Sequence, residues 1–330
     1  MTTTILSAAS LAPAIEALRK GQVVAFPTET VYGLGADGLN GAACRKIFDA
    51  KGRPQDNPLI LHVLDRAGLM DLISTPLASW TAAVIEAFWP GPLTVVVQAA
   101  KSIPEVVRAG LDTVAVRAPS HPVARQLIAG VASPIAAPSA NVSGRPSPTT
   151  AEAVYEDMNG RIPFIIDGGG TRLGLESTVV DCTREPVTVL RPGAISVEML
   201  ASVVGEVRTA KPDGPARAPG MRYRHYAPKA LLLWIQSTDS KAVLPILKAL
   251  RLEYPRLGLI APDPFPVKEG SLFQSLGPDE VTAANRLFSS IRILDHMEPD
   301  AIVILWNSET GLGLAITNRI GKAATRRIVP

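Results

Sequence analysis

Residues 22–37 read QVVAFPTETVYGLGAD, an apolar run that turns abruptly polar. The run QVVAF has the composition of a buried strand. Hydroxyl and carboxylate side chains and two glycines then follow between Phe26 and Asp37. A strand that leaves the core through so many polar groups predicts one wall of a ligand site, where glycines let the backbone approach the ligand.

The rest of the chain alternates short runs rich in Val and Ile with longer amphipathic segments, which is typical of an α/β protein. The candidate strands of the first part are QVVAF, NPLILHV, PLTVVVQ, DTVAVR, PIAAP, PFIID, STVVD and VTVLR. Helices are predicted at residues 11–20, 40–50, 79–88, 121–130 and 150–158. Thr149 and Glu152 have the spacing of a capping box that opens the last of these helices.

The composition changes after residue 205 and indicates two domains. Residues 206–229 are rich in Pro, Gly and basic side chains, lack an apolar period, and are predicted to be a basic linker. This linker joins a domain of residues 1–205 to a smaller α/β domain of residues 230–330. The smaller domain shows strands at LLLWI, RLGLIAP and AIVILW, with helices near residues 239–250 and 280–297.

Composition excludes several classes of protein. Of the 330 residues, 47% are hydrophobic and 19% charged, which predicts a globular chain. The net charge of +3 suits an anionic small molecule but is too low to indicate nucleic acid binding unless it is clustered. Only two cysteines are present, so we expect neither a metal cluster nor disulfides, and a cytoplasmic location. The N-terminal segment does not resemble a signal peptide, and no apolar run is long enough to span a bilayer.

Polar residues gather where the predicted strands end, and we expect them to converge in one cleft. Taken singly, each has an ordinary structural explanation: turn threonines, a solvated helix end, or a hydrogen-bonded core histidine. The triple glycine at residues 168–170 lacks the GK[ST] ending of a P-loop. The gathered residues are Thr28, Thr30, Lys51, Arg53, Asn57, His62, Ser139, Asn141, Ser177, Thr178 and Arg191.

Together, six motifs in this order and spacing resemble the threonylcarbamoyl-AMP synthases of the YrdC-like family, in their long two-domain form. The motifs are FPTETVYGLGAD, KGRPQDNPLILHV, APSANVSGRPSPT, GLESTVVD, LRPG and APGMRYRHYAP. The resemblance implies an α/β fold with a twisted mixed-sheet catalytic domain and a smaller Rossmann-like domain. It also implies that L-threonine, bicarbonate or CO2, and ATP react to give threonylcarbamoyl-AMP and pyrophosphate. A separate enzyme complex would then transfer the threonylcarbamoyl group to tRNA.

The resemblance also implies roles for individual residues. It places threonine against Thr30, His62, Arg117, Ala137 and Ser177. It gives Lys51 and Arg53 catalytic roles, and we expect both to face solvent without ligand. Mg²⁺ is implied with ATP, but no carboxylate pair or general base stands out. The ATP-binding residues that it implies are Arg53, Asn57, Thr113, Ser139, Asn141, Ser147, Arg191 and Tyr223. We expect the basic and aromatic residues 222–226 to fold over the nucleotide as a lid, with Tyr223 as the contact.

Two alternatives stay open at this stage. Hydrogenase-maturation carbamoyltransferases share the YrdC-like domain, but they carry paired CxxC motifs and this sequence has none. An RNA-binding module without synthase activity is the non-enzyme alternative, and weak RNA binding is also a candidate second property. Aromatic residues make up only 5% of the chain, which leaves few stacking platforms for RNA bases.

Overall fold

The computed structural model describes residues 2–210, 225–266 and 272–330, which form two compact units. The first unit contains residues 2–143, 147–172 and 176–210. The second contains residues 225–266 and 272–330 together with the short segments 144–146 and 173–175. No helix in these ranges is long and apolar enough to cross a membrane.

The first unit is built on an eleven-stranded mixed sheet with the order β1-β8-β2-β3-β7-β4-β6-β5-β9-β10-β11. Its strands are β1 Thr4–Ser7, β2 Val24–Phe26, β3 Gly33–Asp37, β4 Ile60–His62, β5 Leu93–Gln98, β6 Thr113–Arg117, β7 Ile135–Ala136, β8 Phe164–Asp167, β9 Thr178–Asp181, β10 Val187–Arg191 and β11 Val207–Thr209. Its helices are α1 Ala12–Arg19, α2 Gly41–Lys51, α3 Arg66–Met70, α4 Ser79–Phe88, α5 Glu105–Arg108, α6 Pro122–Val131, α7 Ala151–Met158 and α8 Val197–Val204. All the strands and helices predicted for this part of the chain are present.

Two local predictions about this unit are wrong. Helix α7 is capped by Thr150, whose hydroxyl accepts from the amide of Ala153, so Thr149 and Glu152 do not form a capping box. The segment Val207–Thr209, predicted to belong to the linker, is strand β11 and pairs in parallel with β10. The first sheet therefore extends beyond residue 205.

The opening stretch forms a hairpin in which β2 and β3 are antiparallel. The residues GLGAD form a largely buried strand, whereas the sequence suggested that their glycines let the backbone approach a ligand. A Cβ atom added at Gly35 would lie 2.8 Å from both the Phe26 ring and the Ile135 side chain. Close packing of the hairpin against these side chains therefore explains Gly35 without any contact to a ligand.

The second unit is a five-stranded parallel sheet with the order β14-β13-β15-β12-β16. Its strands are β12 Leu231–Ile235, β13 Leu257–Ala261, β14 Phe273–Ser275, β15 Ala301–Leu305 and β16 Arg326–Ile328. Its helices are α9 Ser240–Glu253, α10 Glu280–His296 and α11 Gly311–Ala323. The predicted larger mixed-sheet domain followed by a smaller Rossmann-like domain is confirmed.

Residues 225 and 226 are the part of the predicted lid that the structure describes, and Tyr226 packs within the second unit. Tyr226 is buried, stacks on Phe288 with ring centroids 5.1 Å apart, and lies under the guanidinium of Arg319 at 5.8 Å. The amide of the next residue, Ala227, donates to the carbonyl of Gly144. Tyr223, the predicted nucleotide contact, lies outside the described residues, so the lid remains a prediction.

The parallel sheet of the second unit has a small cavity of about 200 Å³ where β12, β13 and β15 end. Parallel α/β sheets commonly bind ligands at this edge, often with a phosphate at a helix N-terminus. Here the carboxylate of Glu280 takes that position at α11. It accepts from the amide of Gly313 at 2.9 Å and from the hydroxyl of Ser308 at 2.7 Å. The chain's own carboxylate thus satisfies the donors that a phosphate would use.

The packing of the hairpin predicts the effect of a single methyl group. We expect Gly35→Ala to lower the free energy of unfolding by about 1–3 kcal/mol, because its Cβ overlaps the Phe26 ring. Gly170→Ala is the matched control, since nothing lies within 4 Å of the added Cβ there. Urea unfolding of both variants tests this, and equal stability of the two would contradict the packing explanation.

Candidate active site

Strand register brings the site together. His62 on β4 pairs with Arg117 on β6, and Arg117 pairs with Thr94 on β5. The row continues through Val179 on β9 to Arg191 on β10. Register partners on neighbouring strands direct their side chains to the same face of a sheet. Five adjacent strands therefore present this row of residues on one face.

Arg117 lies in the middle of this row, and it is 3% exposed. Its Nε donates to the carbonyl of Gly91 at 3.2 Å, its Nη1 to Thr30 Oγ1 at 2.8 Å, and its Nη2 lies 2.7 Å from Glu29 Oε1. A guanidinium carries five N–H groups. Nη2 forms an ion pair with Glu29 but makes no hydrogen bond among the described residues, and Nη1 uses one of its two N–H groups, so N–H groups remain on both terminal nitrogens for a bidentate carboxylate contact.

The hydroxyls beside Arg117 form a chain with a fixed direction. Thr28 Oγ1 donates to the carbonyl of Val31 at 2.7 Å, so its hydrogen is already used. Thr30 Oγ1, which lies 2.8 Å from Thr28 Oγ1, must therefore donate to it. Because Thr30 also accepts from Arg117, its hydroxyl has one lone pair left and acts toward a ligand only as an acceptor.

His62 is held in one tautomer by backbone carbonyls. Its Nδ1 lies 3.2 Å from the oxygen of Ile60 and 3.3 Å from that of Ile135, so Nδ1 carries the hydrogen and donates. The other nitrogen, Nε2, is then an acceptor. Burial and the nearby positive charge of Arg117 lower the pKa of His62 to about 4. The ring is therefore neutral near pH 7.

Ser177 extends this group toward β10. Its Oγ lies 2.8 Å from Thr94 Oγ1, and the guanidinium of Arg191 donates to its carbonyl and to its Oγ at 3.0 and 3.1 Å. Ser147 donates to the carboxylate of Glu176 at 2.5 Å. We call Thr30, His62, Thr94, Arg117 and Ser177 the carboxyl-end group, because β4 and β6 end at His62 and Arg117.

A second set of predicted residues lies at the opposite ends of the same strands. Asn57 precedes β4 and Thr113 begins β6, so both lie at the amino ends of these parallel strands. Thr113 is four residues from Arg117, a distance of about 13 Å along a strand. The chain after β7 runs antiparallel to β4 and leads to the same end. We call Lys51, Asn57, Thr113, Ser139 and Asn141 the amino-end group.

Lys51 is placed at this end by helix α2 and its glycine cap. The helix ends at Lys51, and Gly52 adopts the left-handed conformation with φ 62°. Lys51 Nζ donates to the carbonyls of Ser139 at 2.5 Å and Asn141 at 2.6 Å. The prediction that Lys51 faces solvent is wrong, because the residue is only 1% exposed.

Arg53 and Asn57 form a turn beside Lys51. Arg53 is half-buried and donates to the carbonyls of Asn57 and Pro58 at 3.1–3.4 Å. Asn57 is buried, and its Nδ2 has no hydrogen-bond acceptor within the described part of the chain. A buried amide in this state is a donor suited to a ligand.

The predicted site residues form two hydrogen-bonded groups, and the segment after Thr30 connects them, because Gly33 pairs with Ser139 and the amide of Ala140 donates to the carbonyl of Tyr32. Ala137 lies between the groups, where its amide donates to Ile60. Arg191, predicted to contact the nucleotide, lies beside Ser177 of the carboxyl-end group, and Ser147, also predicted to contact the nucleotide, donates to Glu176 next to Ser177. Sequence reasoning placed Glu29 among the polar residues after the first strand without giving it a role, and it did not single out Thr94. Glu29 lies within the motif FPTETVYGLGAD, but only the fold shows that it faces Arg117.

Acidic residues in the site are engaged within the protein. Burial raises the pKa of Glu29, but the charge and hydrogen bonding of Arg117 outweigh it and leave that pKa below its usual value. Glu176 accepts from Ser147. Across residues 2–210, 225–266 and 272–330, no group of three or more His, Cys, Asp or Glu is arranged to hold a metal ion.

Family models match almost the whole chain. Residues 16–193 match a model described as telomere recombination, and residues 195–325 match one described as threonylcarbamoyl-AMP synthase, C-terminal domain. A crystal structure of Pyrococcus abyssi Sua5 complexed with L-threonine superimposes with a TM-score of 0.93 at 40% identity, covering 100% of both chains.

Curated relatives agree with these models. The chain is 43% identical to the threonylcarbamoyl-AMP synthase of Pyrococcus abyssi, covering 94% of this chain and 93% of the relative. It is 41% identical to the enzyme of the same name from Bacillus subtilis, covering 97% and 94%. The chain therefore belongs to the threonylcarbamoyl-AMP synthase family.

Proposed function

We propose that this chain converts L-threonine, bicarbonate or CO2, and ATP into threonylcarbamoyl-AMP and pyrophosphate. The main observation behind the proposal is the set of hydrogen-bond donors and acceptors around Arg117. Arg117 keeps N–H groups on both terminal nitrogens that have no acceptor among the described residues, while the Thr30 hydroxyl and His62 Nε2 are acceptors close to it in the same group. A ligand with one carboxylate and nearby N–H or O–H donors satisfies all of them, and threonine has this composition.

Threonine is proposed to bind the carboxyl-end group. Its carboxylate would pair with Arg117, while its hydroxyl and amine donate to the acceptors of Thr30 and His62. A relative at 40% identity is described as complexed with L-threonine, which supports this class of ligand. Ser177 and Ala137 are proposed as further contacts, as the family resemblance implies.

ATP is proposed to bind along the amino-end group, with Thr113, Ser139 and Asn141 among its contacts. The buried Nδ2 of Asn57 is a donor for the nucleotide, and Arg53 supplies a guanidinium fork for phosphate oxygens once it leaves the carbonyls it now contacts. Lys51, held by two carbonyls, adds a fixed positive charge nearby. Mg²⁺ is proposed to be held by the phosphates, because the described residues offer no carboxylate cluster for it.

The chemistry depends on positioning and on the exclusion of water. The neutral amine of threonine forms a bond to the carbon of CO2 and loses a proton, which gives a carbamate. A carbamate oxygen then attacks the α-phosphorus, and pyrophosphate leaves. His62 is not the base that accepts the amine proton near pH 7, because a pKa of about 4 makes it too weak. We therefore propose that His62 orients the substrate.

The product is proposed to serve a separate complex that modifies adenosine in tRNA, as the family resemblance implies. The alternative of an RNA-binding module without synthase activity is not favoured, since relatives named as synthases align over both domains. Filter binding across a salt series tests it. Tight RNA binding without threonine-dependent ATP turnover would favour the module.

The reaction predicts a strict substrate dependence for pyrophosphate release. We expect release to require both threonine and bicarbonate, and to rank threonine above serine above valine. Serine lacks a methyl group worth about 1–3 kcal/mol, whereas valine lacks the hydroxyl and leaves a buried acceptor unpaired. The assay uses ATP, Mg²⁺ and degassed buffer with and without bicarbonate. Release that ignores bicarbonate would indicate simple ATP hydrolysis or aminoacyl adenylation instead.

Arg53 and Lys51 are expected to respond differently to substitution. Arg53→Ala should lower kcat/KM by at least ~100-fold, because a charge-assisted contact to a phosphate contributes roughly 2–4 kcal/mol. Its stability should change little, since Arg53 is half-buried and its two hydrogen bonds to the carbonyl of Asn57 are 3.3–3.4 Å long. Lys51→Met should also lower stability, because two carbonyls lose a buried donor. Steady-state kinetics and thermal unfolding test both variants, and an active Arg53→Ala enzyme would refute the assignment.

The protonation of His62 predicts how stability changes with pH. The pKa is about 4 in the folded chain and 6.5 for the unperturbed side chain, so between these values only the unfolded chain takes up the proton. The stabilising effect of neutral His62 is complete above pH 6.5 and is lost as the pH falls toward 4. We expect the difference in unfolding free energy between wild type and His62→Gln to shrink over this interval. Parallel stability curves in urea would contradict the assignment.

A further inference from the structure

We infer that Glu29 is a positioning residue for the proposed reaction: its carboxylate fixes the orientation in which Arg117 receives the carboxylate of the amino acid. This inference rests on the proposed function. Glu29 and Arg117 form an ion pair of 2.7 Å, and both side chains are only 4% exposed. Water therefore screens this pair very little.

The contacts of Arg117 show why Glu29 matters. Each of the three guanidinium nitrogens has one contact, and these are to Gly91, Thr30 and Glu29. The first is a backbone carbonyl and the second a neutral hydroxyl. Glu29 is the one charged group in the set. Three contacts in different directions define the plane of the guanidinium and hence the direction of the remaining N–H groups.

The place of Glu29 in the chain supports the same role. It lies between Thr28 and Thr30, whose hydroxyls form the directed chain that ends at the carbonyl of Val31. The amide of Thr30 donates to Thr28 Oγ1 at 3.1 Å, which fixes the backbone on either side of Glu29. This short turn therefore supplies two of the three contacts to Arg117. An error in the position of Glu29 would also move Thr30.

The test is threonine binding to the full chain by titration calorimetry, with ATP binding as the internal reference. We expect Glu29→Gln to weaken threonine binding by at least ~10-fold, because a neutral amide replaces a charge-assisted partner of Arg117. ATP affinity should stay within about twofold, since Glu29 does not belong to the amino-end group. Glu29→Asp keeps the charge and should lose less than Glu29→Gln.

A double-mutant cycle separates positioning from general damage to the fold. In the background of Arg117→Gln, Glu29→Gln should change threonine affinity by less than about twofold, because no guanidinium is left to orient. The double variant also leaves no buried charge unpaired, so it remains measurable if Glu29→Gln alone folds poorly. Asp37→Asn is a structural control: this carboxylate accepts from Ser133 and the amide of Leu39 and does not contact Arg117.

The outcomes are distinguishable. If wild type does not bind threonine, the proposed function fails and this inference fails with it. If wild type binds threonine and Glu29→Gln binds it equally well, only the role of Glu29 is overturned. Equal losses for threonine and ATP, or additive losses in the cycle, would also overturn it. A loss confined to threonine that disappears in the Arg117→Gln background supports it.

Discussion

The site depends on the register of three neighbouring strands, β4, β6 and β5. Residues along a strand alternate between the two faces of a sheet, so a slip of one residue moves a side chain to the opposite face. A slip of β6 by one position would turn Arg117 away from His62 and Thr94, its present partners. It would also remove the guanidinium from Glu29 and Thr30. Register thus determines both the chemistry of the pocket and the burial of its charges.

The buried charged side chains are tolerated in the interior because each has an ion-pair or hydrogen-bonding partner. Removing an ion from water costs several kcal/mol in a protein interior. Arg117 meets a carboxylate, Arg191 meets the carbonyl of Ser177, and Lys51 meets two carbonyls. These groups are therefore fixed before any ligand binds. A polar site that is already ordered stabilises developing charge better than water, which must reorient during the reaction.

The sequence predicts the strands well because short runs such as PLTVVVQ and VTVLR are apolar enough to require burial. It does not predict their order or direction, since these depend on pairing between distant segments. The pairing of β6 with β4 and β5, for example, places Arg117 beside His62 and Thr94, while Thr113 lies at the other end of β6. The burial of Lys51 was missed for the same reason: a lysine at a helix end usually reaches water, and only the return of residues 139–141 covers it. The family resemblance identified residue types, while the fold gave their arrangement.

The separation of the two groups constrains the proposed reaction. In-line displacement at the α-phosphorus requires the carbamate on one side and the leaving pyrophosphate on the other. If threonine binds at Arg117 and the phosphates bind at Lys51 and Arg53, as proposed, the line from one group to the other runs along β4 and β6 and supplies this axis. The span of about 13 Å between Thr113 and Arg117 is longer than one phosphate and one carbamate together. Under the proposed assignment the α-phosphate therefore lies between the two groups, along the length of β4 and β6.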